Sequence, residues 1–242
     1  MTRLLASVRD PAEAETALRA GADIIDLKDP ARGALGAVDP ATLMACVAAM
    51  DGRVPVSATI GDLPMDADAV ETAVLATAAC GVDYVKFGIF PGGDPRGCLA
   101  RVGASAPSVD VILVLFADAM PAFDAVAAAA EMGARGVMLD TADKAHGSLL
   151  DHMTIEDIGR FVETARARDL LAGVAGALRP AHVAPLLAVR PDVIGFRGAL
   201  CRDGERDGGI DPLAVSRIRA LIPQEIGLPE AQMQAPDTAT VC

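Results

Sequence analysis

Gly81-Val-Asp-Tyr-Val-Lys86-Phe-Gly88 sets a turn residue and an acid ahead of a short β-branched run that ends on a lysine. Three further stretches share this shape: Gly21-Ala-Asp-Ile-Ile-Asp-Leu-Lys28, Gly133-Ala-Arg-Gly-Val-Met-Leu-Asp140 and Pro191-Asp-Val-Ile-Gly-Phe-Arg197-Gly198. They start at residues 21, 81, 133 and 191. One strand-plus-helix unit of a (β/α)8 barrel takes about 30 residues, since the whole barrel runs to roughly 250. The spacing therefore predicts every second strand of one α/β barrel, each finishing on a charged residue.

The segments between complete the pattern. Leu4–Val8 reads as the first strand, and Asp10-Pro11 opens a helix that Gly21 stops. Further strands are expected at Ile24–Lys28, Val54–Thr59, Tyr84–Phe87, Asp110–Phe116, Val137–Asp140, Leu171–Ala175 and Val193–Arg197. Helices fall between them, among them Asp39–Met50, Asp68–Cys80, Pro121–Met132, Thr154–Arg168 and Pro212–Leu221. Gly- and Pro-rich loops follow at Asp29–Ala37 and Pro91–Pro95, with a longer one from Asp140 through Asp151. Strands and helices alternate without a dividing linker, which predicts one (β/α)8 TIM-barrel domain over residues 1–222. The polar, aperiodic tail 223–242 is expected to be disordered. An open doubly wound sheet is the alternative, weakened by the absence of a Gly-x-Gly-x-x-Gly turn after the first strand.

Composition narrows the function classes. With 242 residues and 52% hydrophobic content the chain can bury a large core, but with no Trp that core must be Ala, Val, Leu and Ile. A net charge of −12 argues against nucleic acid and anionic membrane surfaces as partners. The most apolar run, Val111–Ala117, is far shorter than the ~20 residues of a membrane span. Five scattered cysteines, no Cys-x-x-Cys and no leader pattern lead to the expectation of a cytoplasmic protein. Apolar helix faces that pack in a core and those that pack on a partner look alike, so the pattern is compatible with a homo-oligomer.

Of the 21 Lys and Arg residues, only Lys28, Lys86 and Lys144 are lysines. Arginine serves wherever a generic cation suffices, so the lysines stand out as groups able to lose a proton and attack a carbonyl. Alternation along a strand puts Asp26 with Lys28, Tyr84 with Lys86 and Met138 with Asp140 on shared faces. Asp26, Lys28, Lys86 and Asp140 should then converge at the C-terminal mouth of the barrel, with Lys144 reaching in from the next loop. Lysines interleaved with carboxylates suit imine chemistry. An amine must be neutral to attack, which a neighbouring cation favours, and a carboxylate can shuttle protons as the carbinolamine dehydrates.

Gly173-Val-Ala-Gly176-Ala177 and Gly195-Phe-Arg197-Gly198-Ala199 end the seventh and eighth units, where barrels often bind phosphate through loop amides. Arg197 could add a bidentate contact. His146, His152 and His182 lack metal-ligand spacing, and no Gly-x-Ser-x-Gly is present, so neither a metal-dependent lyase nor a serine hydrolase is supported.

Taken in order, several motifs resemble the (5-formylfuran-3-yl)methyl phosphate synthase family. They include Leu4-Leu-Ala-Ser-Val8, Gly21-Ala-Asp-Ile-Ile-Asp-Leu-Lys-Asp-Pro30, Gly33-Ala-Leu-Gly36 and Val56-Ser-Ala-Thr-Ile-Gly-Asp62. Asp83-Tyr-Val-Lys-Phe-Gly88, Met138-Leu-Asp-Thr-Ala-Asp-Lys144, Leu171-Ala-Gly-Val-Ala-Gly176 and Gly195-Phe-Arg-Gly-Ala199 extend the likeness to about residue 222. Asp29 departs from the Asn expected in archaeal members. The resemblance implies a barrel similar to class I aldolases and a carbon–oxygen lyase acting on phosphates, without metal or other cofactor. Its implied reaction joins two molecules of glyceraldehyde 3-phosphate, a phosphorylated triose, with loss of phosphate and water, in methanofuran-type cofactor biosynthesis and one-carbon metabolism. It also implies Lys28 as the Schiff-base lysine and Lys86 as proton acceptor, with Asp26, Asp140 and Lys144 in support. The alternatives are an ordinary class I aldolase acting on a phosphorylated sugar and a non-catalytic barrel subunit. Between the lysines, the residues favour Lys28 as nucleophile, because Asp26 shares its face whereas Lys86 has Tyr84, a weaker acid.

Overall fold

The acid in the recurring motif proves to be a structural clip. In the computed structural model, which describes residues 1–122, 124–143 and 145–223, Asp23 Oδ2 accepts a hydrogen bond of 2.7 Å from the Leu4 amide on the preceding strand. Asp83 does the same for Val56, and Asp192 for Ala172. Each carboxylate satisfies an N–H that strand pairing leaves open at the N-terminal rim, and such charge-assisted bonds are about twice as strong as neutral ones. Gly21 and Gly81 precede two of these clips with φ of +102° and +86°, a region where a Cβ is strained. The third stretch carries Arg135 instead and relies on backbone bonds alone, from its own N–H to Val111 O and from the Leu171 N–H to its carbonyl.

From these rims the chain runs β1 (Arg3–Val8), α1 (Pro11–Arg19), β2 (Ile24–Leu27), α2 (Pro40–Met50), β3 (Val56–Thr59), α3 (Ala67–Ala78), β4 (Tyr84–Gly88) and α4 (Pro95–Ser105). It continues through β5 (Val111–Phe116), α5 (Ala125–Glu131), β6 (Gly136–Asp140), α6 (Leu149–His152), α7 (Ile155–Arg166), β7 (Leu171–Val174), α8 (Val183–Ala188), β8 (Val193–Phe196) and α9 (Pro212–Leu221). All eight strands are parallel, and β8 returns to pair with β1, closing the barrel. The expected (β/α)8 fold is present. Aspartate caps α1, α2, α3, α4, α5 and α9 by accepting from first-turn amides, with proline at the first helical position of α1, α2, α4 and α9. Part of the acidic excess therefore does local work at helix starts.

Two apolar layers follow from strand alternation. Outward residues such as Leu4, Ile25, Val85, Leu113, Leu139 and Ile194 pack under the helices. Inward residues Leu5, Ile24, Val114, Phe116, Met138 and Val193 fill the barrel and are joined by Leu35 from the loop after β2. Two expectations shift. The helix expected from Pro121 begins at Ala125, where Asp124 caps it. The loop expected through Asp151 contains α6, whose Leu149 is fully buried and whose Asp151 carboxylate accepts from the Ser148 amide and hydroxyl. Among the described residues no helix is long and apolar enough to cross a membrane. Residues 224–242 of the expected disordered tail lie outside the described residues.

Candidate active site

Strand register assembles the centre of the site. Ser7 on β1 pairs with Asp26 on β2, and Asp26 with Ser57 on β3. The two serines thus flank one carboxylate, and both donate to it, at 2.8 Å to Oδ2 and 2.6 Å to Oδ1. Lys86 on β4 lies in register with Thr59, one inward position beyond Ser57, and its Nζ comes back to Asp26 Oδ1 at 2.8 Å. Asp26 is fully buried and Lys86 4% exposed, so the pair is sealed from water. Burial pushes the Asp26 carboxyl up, but Lys86, then Lys28, then the hydrogen bonds more than offset it and hold it below its ordinary value.

Lys28, just past the end of β2, pairs across the barrel with Asp140 at the end of β6, Nζ to Oδ2 3.6 Å. Asp140 Oδ1 accepts from the Thr141 amide at 2.8 Å. The four inward residues expected at the mouth are therefore brought together, but the pairing differs from the expectation. Asp26, sharing a face with Lys28, serves Lys86, and the carboxylate beside Lys28 is Asp140. The reason is length: Lys28 Cα stands ~6.6 Å further along the strand than Asp26, so its side chain crosses the mouth rather than folding back. Lys144 lies outside the described residues.

A cleft of about 610 Å³ opens beside this pair, between Lys28 and Asp140 at its floor and the turns after β7 and β8. Lys86 lines a separate small pocket of about 40 Å³ with Tyr84 and Ser57. Away from this cleft Leu35, 1% exposed, packs into the inner cluster with Val114 and Phe116. Its loop is held by Asp62, whose carboxylate accepts from the Ala34 and Leu35 amides at 2.8 and 2.7 Å. Gly33 has φ +124°, and a Cβ there would fall 2.1 Å from Asp62 Oδ2, so only glycine fits. Asp29 accepts from the Ala31 amide at 3.0 Å and pairs with Arg32 at 3.8 Å.

The turns expected to bind phosphate lie on the cleft wall, which Gly176, Ala177, Gly198 and Ala199 all line. Gly176 and Ala177 turn with φ of +107° and +44°. Gly198–Leu200 forms a 3-10 turn, whose first N–H groups have no carbonyl within the turn to bond. Arg197 does not have the freedom expected of it. Its Nη1 and Nη2 reach both oxygens of Glu13, at 2.5 and 3.3 Å, and its remaining donors go to the carbonyls of Ser7, Arg206 and Gly208. All five N–H groups are taken, so a bidentate phosphate contact would require dismantling this knot. Arg197 instead ties β8 to β1 and to the loop after β8.

Sequence reasoning missed several of these residues. Ser7 and Ser57 were visible as lone inward hydroxyls in apolar runs. Glu13 stands three residues after the cap Asp10, where a capping-box partner is expected. It accepts instead from the Arg9 amide and guanidinium and from Arg197. Burial pushes its carboxyl up, and Arg197 and Arg9 more than offset that, holding it below its ordinary value. Among the described residues no three His, Cys, Asp or Glu side chains are grouped to hold a metal ion.

The fold and the site define a (β/α)8 barrel with two lysine–carboxylate pairs gathered inside it. Solved structures of that architecture superpose on it: a 3-hexulose-6-phosphate synthase with TM-score 0.61 at 20% identity, covering 92% of this chain and 100% of the other. Phosphoribosyl anthranilate isomerase from Thermotoga maritima gives TM-score 0.66 at 15% identity, over 90% and 97%. At such identities the likeness is one of fold. The chain belongs to the 4-HFC-P synthase family, whose model matches residues 4–219. The (5-formylfuran-3-yl)methyl phosphate synthase of Archaeoglobus fulgidus is 35% identical over 222 residues, 86% of this chain and 94% of the relative. That of Methanothermobacter thermautotrophicus is 33% identical over 231 residues, 90% and 98%. A Methylorubrum extorquens relative provisionally given the same name is 43% identical over 215 residues, 89% of each chain.

Proposed function

We propose that the enzyme condenses two molecules of glyceraldehyde 3-phosphate to (5-formylfuran-3-yl)methyl phosphate through an imine on Lys28, as a step of methanofuran-type biosynthesis. By atom balance one phosphate and two waters leave. The observation that carries this reading is the inequality of the two lysines. Lys28 lines the cleft and forms its ion pair with Asp140 at 3.6 Å. Lys86 is locked at 2.8 Å to a fully buried carboxylate behind it.

In this scheme the neutral Lys28 amine adds to a triose carbonyl, and Asp140, within reach of the forming carbinolamine, passes the proton that lets water leave. The resulting iminium draws electrons from the adjacent carbon–hydrogen bond, so no metal is needed to stabilise the carbanion. Lys86, oriented by Asp26 and the two serines, is the base: its ammonium proton passes to Asp26 across the 2.8 Å contact, and the neutral amine then takes the proton from carbon. Lys144 follows Asp140 by four residues and is retained as a supporting group. The turns at Gly176–Ala177 and Gly198–Ala199 offer amides for the phosphate of the bound triose.

The three-lysine composition makes the test direct. Cleavage after lysine divides the chain into 1–28, 29–86, 87–144 and 145–242. Borohydride reduction in the presence of glyceraldehyde 3-phosphate should give an uncut, mass-shifted 1–86 fragment. A fused 29–144 fragment with normal release of 1–28 would make Lys86 the nucleophile. Release of inorganic phosphate from triose phosphate alone separates this reaction from an ordinary aldol cleavage, which releases none.

A further inference from the structure

We infer that the cleft holds a second anion subsite, built on Arg206 with Arg179, that receives the phosphate destined to leave. This rests on the condensation proposed above. Two phosphorylated molecules must share a cleft in a chain of net charge −12. The lining carries four cations, Lys28, Arg179, Arg197 and Arg206, against the carboxylates Asp140 and Asp203. Arg197 is saturated by Glu13 and carbonyls. Lys28 is consumed as the imine. Among the described residues of the lining, Arg179 and Arg206 remain to balance a second phosphate, with Asp203 opposing them from the exposed rim.

Of the two, Arg206 is the better prepared. It is half-buried, and one N–H is fixed to the Gly33 carbonyl at 3.2 Å, across the mouth in the loop that follows Lys28. Among the described residues its other side-chain donors meet no acceptor, and neither arginine has a carboxylate within ion-pair distance. A guanidinium fork anchored at one corner and open at the others is preorganised for phosphate oxygens. Arg179, exposed before the 3-10 turn Pro180–His182, adds a mobile charge at the entrance.

The test uses inorganic phosphate as probe on the full-length protein, so it reads the subsite whether or not condensation occurs. Calorimetric titration of the wild type should show two phosphate equivalents per chain, and Arg206→Gln only one, with the other unchanged. Removing a charged hydrogen-bond partner should weaken the second site by about 10- to 100-fold. The variant should fold, because it is the Arg206 carbonyl, not its side chain, that holds Arg197. Phosphate should also protect Arg206 of the wild type from phenylglyoxal, read by mass spectrometry. In turnover, Arg206→Gln should raise the triose phosphate concentration needed for half-maximal rate while the Lys28 adduct still forms under borohydride. One equivalent in the wild type, two retained in the variant, or no protection of Arg206 would each overturn the subsite. Loss of the Lys28 adduct in both proteins, with the titration as expected, would overturn the condensation chemistry alone.

Discussion

Asp26→Asn tests the central pair directly. The substitution keeps the shape and removes the charge that faces Lys86 at 2.8 Å. At an effective dielectric constant near 20, that separation corresponds to ~6 kcal/mol of Coulomb attraction. Part of it is offset by the cost of bringing both groups out of water, so the observable quantity is the penalty for leaving Lys86 charged and alone, about 3–5 kcal/mol. Ser7 and Ser57 are rotors that can either donate or accept, so they should adapt to an amide at little cost. Urea unfolding at pH 7 should therefore show Asp26→Asn to be destabilised by about 3–5 kcal/mol, a large share of the ~5–15 kcal/mol of a typical domain. Lys86→Met should be comparably harmful, since it strands the carboxylate. The double variant should be better than the sum of the two by more than ~2 kcal/mol, because it strands neither. A loss below ~1 kcal/mol for Asp26→Asn, or additivity within ~0.5 kcal/mol, would refute the argument that a sealed ion pair holds the site.

Acid should unfold the protein partly through Glu13. Its folded-state value is depressed, so its contribution is complete above the unfolded-state value near ~4.3 and is lost as pH falls through the lower folded-state value. Glu13→Gln should flatten the acid limb of stability as pH falls below the unfolded-state value near ~4.3; an unchanged limb counts against the Glu13–Arg197 knot. Gly33→Ala should cost ~1–3 kcal/mol of local strain and displace Asp62 from the Ala34 and Leu35 amides. Proteolysis should then cut more readily within residues 29–37, and the turnover number should fall. An intact loop with full activity would show that Leu35 does not need its clip.

By itself the sequence determined the barrel and the identities at its mouth. Side-chain alternation is a local property with a period of two, so Asp26, Lys28, Lys86 and Asp140 could be assigned inward from their own strands alone. The aspartates at helix starts and the glycines at turns are equally local, and they were legible for the same reason. Which charge meets which was decided only in three dimensions. Asp26 belongs to Lys86 rather than to Lys28, two places along its own strand, because the barrel's stagger sets how neighbouring strands stack their inward residues, and no single strand encodes that stagger. Arg197 read as a free cation at a strand end until α1 brought Glu13 against it from 184 positions away in the chain. Leu35, in a loop that read only as rich in Gly and Pro, is 1% exposed and joins the inner apolar layer with Phe116 and Val114. Contacts of that range depend on closure of the whole barrel, so the chemistry of the ends was written locally and their pairing was not.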